Sequence, residues 1–131
     1  MGRCRETWLQ CALAEYEKRL QATLQIEWLI AKNNAQLIDW AREEPFLIAL
    51  DPKGDLLESE KLSRKLHSLL REKGSRLQFI IGGAEGIPPE IECHWRWSLS
   101  PLTFTHQMVR LLLAEQLYRA LDIEKGSGYH K

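Results

Sequence analysis

The sequence predicts an α/β domain with a mainly parallel sheet flanked by helices. Two stretches carry that expectation. Phe46 to Leu50 is wholly apolar and Leu77 to Ile81 nearly so, which marks short strands covered on both faces. Helical periodicity fills the chain around them, so strands and helices alternate. The 131 residues hold no repeat and no linker long enough to divide them. Residues 1–131 are expected to form one domain around a single core.

The elements follow from local pattern. Arg3 to Leu20 is expected to be a helix, because Trp8, Ala12, Tyr16 and Leu20 share one face with Leu9 and Leu13 beside them. Leu24 to Ile30 alternates and then turns apolar, as a strand does. Asn33 and Asn34 offer a cap for a second helix reaching Ala41. Phe46 to Leu50 is the first buried strand. Asp51 to Asp55, with Pro52 and Gly54, reads as a turn or loop. Ser59 is placed to cap a helix ending near Lys73, with Leu62, Leu66, Leu69 and Leu70 inward and Gly74 as its stop. Leu77 to Ile81 is the next strand. Pro88 and Pro89 suit the first turn of a short helix. Trp95 to Ser98 is a brief strand, and Gln107 to Glu124 is the longest helix. That helix is apolar on more than one side, through Met108, Val109, Leu111, Leu112, Leu113, Leu117, Tyr118 and Leu121. It needs cover on several faces, either from its own chain or from a second subunit.

Charge does not announce a partner. Lysine and arginine number 18, as do aspartate and glutamate, so the net charge is zero. Nucleic-acid surfaces usually show a basic surplus. Arg110, Arg119, Lys125, His130 and Lys131 could make a local basic patch, but they also fit solvated helix positions. Cys4, Cys11 and Cys93 form no Cys-x-x-Cys pair, so reduced thiols and no metal site are expected. No apolar run is long enough for a bilayer, and the N-terminus opens into an amphipathic helix rather than a signal peptide. A cytoplasmic protein is expected.

Ligands of open α/β sheets sit beyond the carboxyl ends of the strands. Two such ends draw attention here, Leu50-Asp51 and Ile81-Gly82-Gly83. The glycine turn is neither a dinucleotide fingerprint nor a Walker loop. Paired glycines let a backbone approach a ligand closely or adopt positive φ, but alone they also make an ordinary turn. Leu99 to Phe104 mixes small, apolar and hydroxyl residues just before a helix. Such a loop can wrap an adenine ring, or can simply lead into a helix capped by Thr105. From the residues alone, Gly126 to Lys131 is a frayed terminus.

Taken in order, these segments resemble the RlmH family of SPOUT-class RNA methyltransferases. The resemblance rests on Leu50-Asp51, on Ile81-Gly82-Gly83-Ala84-Glu85-Gly86 and on the loop Leu99 to Phe104. It continues through Arg110 to Ala120, with Glu115-Gln116-Leu117-Tyr118-Arg119, and ends in Tyr129-His130. Glu15 to Leu20 adds a match near the start. The family methylates N3 of a pseudouridine in large-subunit ribosomal RNA, so the resemblance implies an enzyme of that activity. It implies a C-terminal trefoil knot, S-adenosylmethionine as cofactor and a homodimer. The cofactor would lie against Leu50, Gly82, Leu99, Ser100, Pro101, Leu102, Thr103 and Phe104. Glu85 would repel a phosphate, but S-adenosylmethionine carries a sulfonium cation instead. The tail would reach the target base, with His130 accepting or relaying the N3 proton and Tyr129 stacking on or orienting the base. Lys131, Arg110 or Arg119 would hold phosphate. His106, at a helix start, is expected to be structural.

Three features depart from the family, one of them a link between Ile30 and Asn33 that is shorter than its usual one. Its members open with one further strand and a Val-Gly-Lys-like turn. Here Gly2-Arg3 matches that turn directly after Met1, so a strand of about eight residues is expected to be missing, and an upstream start would supply it. Thr105 stands where the family often has proline. The neutral charge favours a structured target, the assembled ribosome. Two other readings fit the same residues: a knotted methyltransferase for another RNA position, and a non-catalytic, ribosome-associated dimer.

Overall fold

The computed structural model describes residues 7–21, 24–73, 76–82 and 86–125. The elements are α1 (Thr7–Leu20), α2 (Asn34–Arg42), β1 (Leu47–Leu56), α3 (Ser59–Glu72), β2 (Gln78–Ile81), β3 (Trp95–Ser98) and α4 (His106–Lys125). The three strands form one parallel sheet in the order β2-β1-β3. The fold class is therefore the expected one.

The central strand is buried because both faces of the sheet are covered. Ile48 and Leu50 face a core built from Leu20 of α1, Leu62, Leu66 and Leu69 of α3, and Leu113 and Leu117 of α4. Leu47 and Ala49 face the opposite side, against Ala41 of α2, Ile80 and Ile91. Ile48 and Ala49 are 0 % exposed. The alternation inverts at each residue, as the pleat requires, and both alternating sets are apolar because both faces are dry.

The caps show where α2 and α3 begin. Asn33 Oδ1 accepts the Gln36 N–H at 2.9 Å, as a cap should. Ser59 does not cap α3. It is the first helical residue, and the extended Glu58 before it stands at the cap without a side-chain bond. Inside the core, Ser63 Oγ donates to the Ala120 carbonyl at 2.5 Å, tying α3 to α4. The hydroxyl is buried but paired, which removes its desolvation cost.

Three expectations are corrected. Leu24 to Ile30 is not a strand. Leu24, Ile26 and Trp28 do turn inward onto the core, and Trp28 Nε1 donates to Glu17 Oε1 at 2.6 Å. The alternation is real, but no described strand lies alongside to form a ladder. Asp51 to Asp55 is not a free turn. β1 continues through it to Leu56, bulging so that Leu50 and Asp55 both register with Trp97. No helix starts at Pro88. That segment makes a turn in which the Ile91 N–H donates to the Pro88 carbonyl. Phe46 lies just outside β1 and stacks on His94, whose Nδ1 accepts the Leu47 N–H.

β2 is an edge strand of the described sheet. An apolar groove of about 550 Å³ separates it from the Leu24–Ala31 segment, lined also by Leu37, Trp40, Leu70 and Leu113.

Removing the Ser63 hydroxyl leaves the Ala120 carbonyl without that partner. Ser63→Ala is expected to lower unfolding free energy by about 1 kcal/mol in urea titration. Leu66→Ala, which opens a cavity in the same layer, should cost about 2–5 kcal/mol.

Candidate active site

The parallel register brings three carboxyl ends to one edge of the sheet. Leu50 pairs with Ile81 on one side and with Trp97 on the other. The next residues of the flanking strands are Gly82 and Ser98. The connections leave in opposite directions. β1 leads to α3, which covers one face. β2 leads through Ile87 and Ile91, which pack with α2 on the other face. A crevice between diverging connections is where open α/β sheets hold ligands. Leu50, Gly82 and the start of Leu99–Phe104 therefore meet at one edge.

Aspartates brace the floor of this edge. Asp51 Oδ1 accepts the Lys53 N–H, and its other oxygen accepts from Arg96 Nη1 at 2.9 Å. These bonds hold the Asp51 carboxyl below its usual range, the Lys53 N–H first, with partial burial opposing. Asp55 Oδ2 accepts from Trp95 Nε1 at 2.9 Å. Trp95 stacks on Trp97, and Lys65 Nζ lies 4.5 Å from the Trp95 ring centre. Between the two aspartates, Gly54 lies against the backbone of β3. A Cβ there would sit 2.6 Å from the Arg96 carbonyl. The bulge thus needs glycine to keep β1 and β3 together.

Gly82 has a comparable reason to be glycine. A Cβ on it would lie 2.6 Å from the Gly86 oxygen and 2.7 Å from the Ile87 nitrogen. The close approach expected at the glycine turn is made to the returning chain itself. Gly86 has φ +85, with open space where a Cβ would go. Its requirement is the left-handed backbone. Gly83, Ala84 and Glu85 lie outside the described residues.

The Leu99–Phe104 loop is half-buried at its start and exposed beyond. Leu99 packs on the main core, whereas Leu102 is 68 % and Phe104 36 % exposed. Ser100 Oγ accepts the Leu102 N–H, which tightens the turn. Thr105 Oγ1 accepts the Met108 N–H and caps α4. His106 Nε2 and Ser98 Oγ are enclosed without a hydrogen-bond partner. Burial, with Arg110 adding its charge, pushes the His106 pKa down. Sequence reasoning passed over Ser98 because a serine ending a strand carries no signal before its burial is known.

Two expected phosphate-holding residues are otherwise engaged. Arg110 is buried, its guanidinium 6.0 Å from the Trp28 ring centre. Arg119 pairs with Glu115 at 2.9 Å. The interior claims the first and an i,i+4 carboxylate the second. Tyr129, His130 and Lys131 lie outside the described residues. Burial pushes the Cys93 thiol pKa up. Among the described residues no group of acidic, histidine and cysteine side chains could hold a metal ion. No described helix is long and apolar enough to cross a membrane.

The groove beside β2 has mainly apolar walls, with Glu44 and Arg76 paired at 3.5 Å on its lining.

A group fitting this edge needs little positive charge from the protein and can use backbone and apolar surface. S-adenosylmethionine meets those terms, having no phosphate to neutralise. Comparison with known proteins points the same way. The family described as predicted SPOUT methyltransferase matches residues 1–130. A protein of Protochlamydia amoebophila named Ribosomal RNA large subunit methyltransferase H is 51 % identical over 132 residues, covering 100 % of this chain and 94 % of its own length. Proteins of the same name from Synechococcus sp. and Acidithiobacillus ferrooxidans are 38 % and 36 % identical. Those matches cover 100 % and 95 % of this chain, and 92 % and 88 % of the relatives.

Three tests probe the edge. Gly54→Ala forces the β1 and β3 backbones apart and is expected to cost about 1–3 kcal/mol in urea unfolding. Gly86→Ala strains φ without a clash, and about 1 kcal/mol is expected. Asp51 contributes stability above its unfolded-state pKa, and that contribution is lost as pH falls through the lower folded-state value. Being partly exposed, it supplies at most about 1 kcal/mol. In acid titrations monitored by fluorescence, Asp51→Asn should be less stable near neutrality and lose less stability on acidification.

Proposed function

The chain belongs to the SPOUT methyltransferase family, and from that premise we propose that it methylates N3 of a pseudouridine in 23S ribosomal RNA. S-adenosylmethionine is the proposed donor, and when bound it supplies an electrophilic methyl group on sulfur. The observation that carries this reading is the register. Leu50, Gly82 and the start of Leu99–Phe104 share one edge of a parallel sheet in a chain of this family.

In this reading Leu50, Leu99 and Leu102 pack around the adenine. Ser100, Pro101, Thr103 and Phe104 shape the loop around it. Gly82 keeps the neighbouring turn closed so that its backbone is available. The family implies that the chain after β3 is threaded as a trefoil knot, an exception to the rule against threaded connections. Fixing cofactor and base together supplies much of the acceleration. His130 takes or relays the N3 proton, and Tyr129 orients the base.

Residues 1–131 act as one domain. The groove lies along the outer edge of β2 in the described sheet. A homodimer is the working unit. α1 and α3 cover α4 within the chain, while Trp8 of α1 remains 61 % exposed. With zero net charge, affinity for free RNA is expected to be low, so the proposed partner is the assembled ribosome in the cytoplasm.

Calorimetric titration with S-adenosylmethionine is expected to show saturable binding, and unmodified ribosomes to gain one N3-methyl group. Binding only by a chain extended through the family's first strand would identify that strand as necessary. Absence of binding by both forms would favour a non-catalytic dimer. Sedimentation at micromolar concentration should show the dimer, and a purely monomeric profile would remove it. His130→Ala should lower turnover by about 100-fold or more while leaving cofactor binding unchanged.

A further inference from the structure

The charges of the chain balance, but their pairing is uneven. Among the described residues, every arginine outside α3 is engaged. Arg19, Arg42, Arg76, Arg96 and Arg119 pair with carboxylates, and Arg110 is buried. The two that remain, Arg64 and Arg71, are both exposed on α3. Lys61 and Lys65 are exposed on the same helix, and Lys73 at its C-cap. None of these five cations is held in an ion pair among the described residues. Helical spacing sets Lys61, Arg64, Lys65 and Arg71 on the face turned away from the buried Leu62, Leu66 and Leu69. From Lys61 to Arg71 that face extends for about 15 Å.

Helix stability does not account for this arrangement. Lys61 has like charges at Arg64 and Lys65, the spacings at which helix side chains meet and repel. It also stands in the first turn, where the macrodipole disfavours a cation. The carboxylates of the helix are otherwise placed. Glu60 lies in the first turn, which suits an anion, and Glu72 accepts the Ser68 hydroxyl. Lys65 Nζ sits 4.5 Å from the Trp95 ring centre and Lys73 Nζ 4.7 Å from that of Phe46. A ring attracts a cation but neutralises no charge, so both remain available to an anion.

We propose that the outer face of α3 docks on the phosphodiester backbone of ribosomal RNA. Every exposed position of the helix is charged, so it lacks the aromatic and apolar anchors that centre a protein interface. Guanidinium forks and ammonium groups match phosphate oxygens. α3 begins just after β1, whose last residue registers with Ser98 at the root of the Leu99–Phe104 loop. The basic face therefore starts beside the crevice and runs away from it, where it can hold the RNA that flanks a target base. This inference rests on the reading of the chain as a ribosomal RNA methyltransferase and adds to it the surface that positions the substrate.

The test measures affinity for unmodified ribosomes at several salt concentrations, with methyl transfer to them as a second readout. Combining Lys61→Gln, Arg64→Gln and Arg71→Gln is expected to weaken binding and raise the ribosome KM about tenfold. The slope of log affinity against log salt should flatten by about 2–3. The kcat, S-adenosylmethionine binding and thermal midpoint should not change. Arg64→Lys with Arg71→Lys keeps the charge and should keep the salt slope. Lys18→Gln with Lys32→Gln removes exposed cations elsewhere and should leave the KM as it is. Unchanged affinity and slope in the triple variant would overturn the proposal while leaving the methyltransferase reading intact. An equal loss in the Lys18 and Lys32 variant would overturn it by making net charge alone responsible. Ribosomes digested with ribonuclease that keep the charge-dependent binding would assign the face to an acidic protein, and the RNA proposal would fall. A wild-type chain that neither binds nor methylates ribosomes would overturn both readings.

Discussion

Burial of β1 on both faces is the constraint from which the rest follows. Leu47 to Leu50 are covered by α1, α3 and α4 on one side and by α2 on the other. A strand with no wet face must be apolar at every position, so its register cannot slip without disturbing two cores at once. That register holds Leu50 between Ile81 and Trp97. The loops after β2 and β3 are consequently delivered to the end of β1. Moving β1 by one residue would exchange Ile48 and Leu50 for Leu47 and Ala49 on the larger core. It would also separate the segments that make the crevice.

The β1 bulge solves a related problem. The strand must turn from a dry core to a wet edge while staying paired with β3. Gly54 permits backbone contact with Arg96 and Trp97, and the flanking aspartates bind Arg96 and Trp95 from either side. On the other flank, Gly82 folds the chain against Gly86 and Ile87. The glycines nearest the crevice therefore shape its walls.

Charge is distributed in keeping with this division of labour. Arg110 and Arg119 lie in the stretch of α4 that carries the strongest sequence resemblance, yet they serve the fold, one over Trp28 and one beside Glu115. Eighteen cations against eighteen anions leave little general attraction for RNA. Recognition of a structured target by shape, with specificity from positioned groups, is consistent with that balance.

The sequence by itself determined the α/β class, the buried strands to within a residue at Leu47–Leu50 and Gln78–Ile81, the Asn33 cap and the family. Each depends on residue type or spacing, which survive as a linear record. It also placed Leu50, Gly82 and Leu99–Phe104 as cofactor candidates through ordered motifs. Tertiary structure decided what those signals could not carry. Leu24–Ile30 has a strand's alternation but no described neighbour, and a ladder requires two partners. Asp51–Asp55 has the composition of a turn yet stays in β1, because Gly54 can touch a strand distant in sequence. Ser59 has the chemistry of a cap but lies one position inside its helix. Ser98, His106 and Arg110 look unremarkable in the chain, and only enclosure separates an unpaired atom from a solvated one or a buried guanidinium from a phosphate ligand.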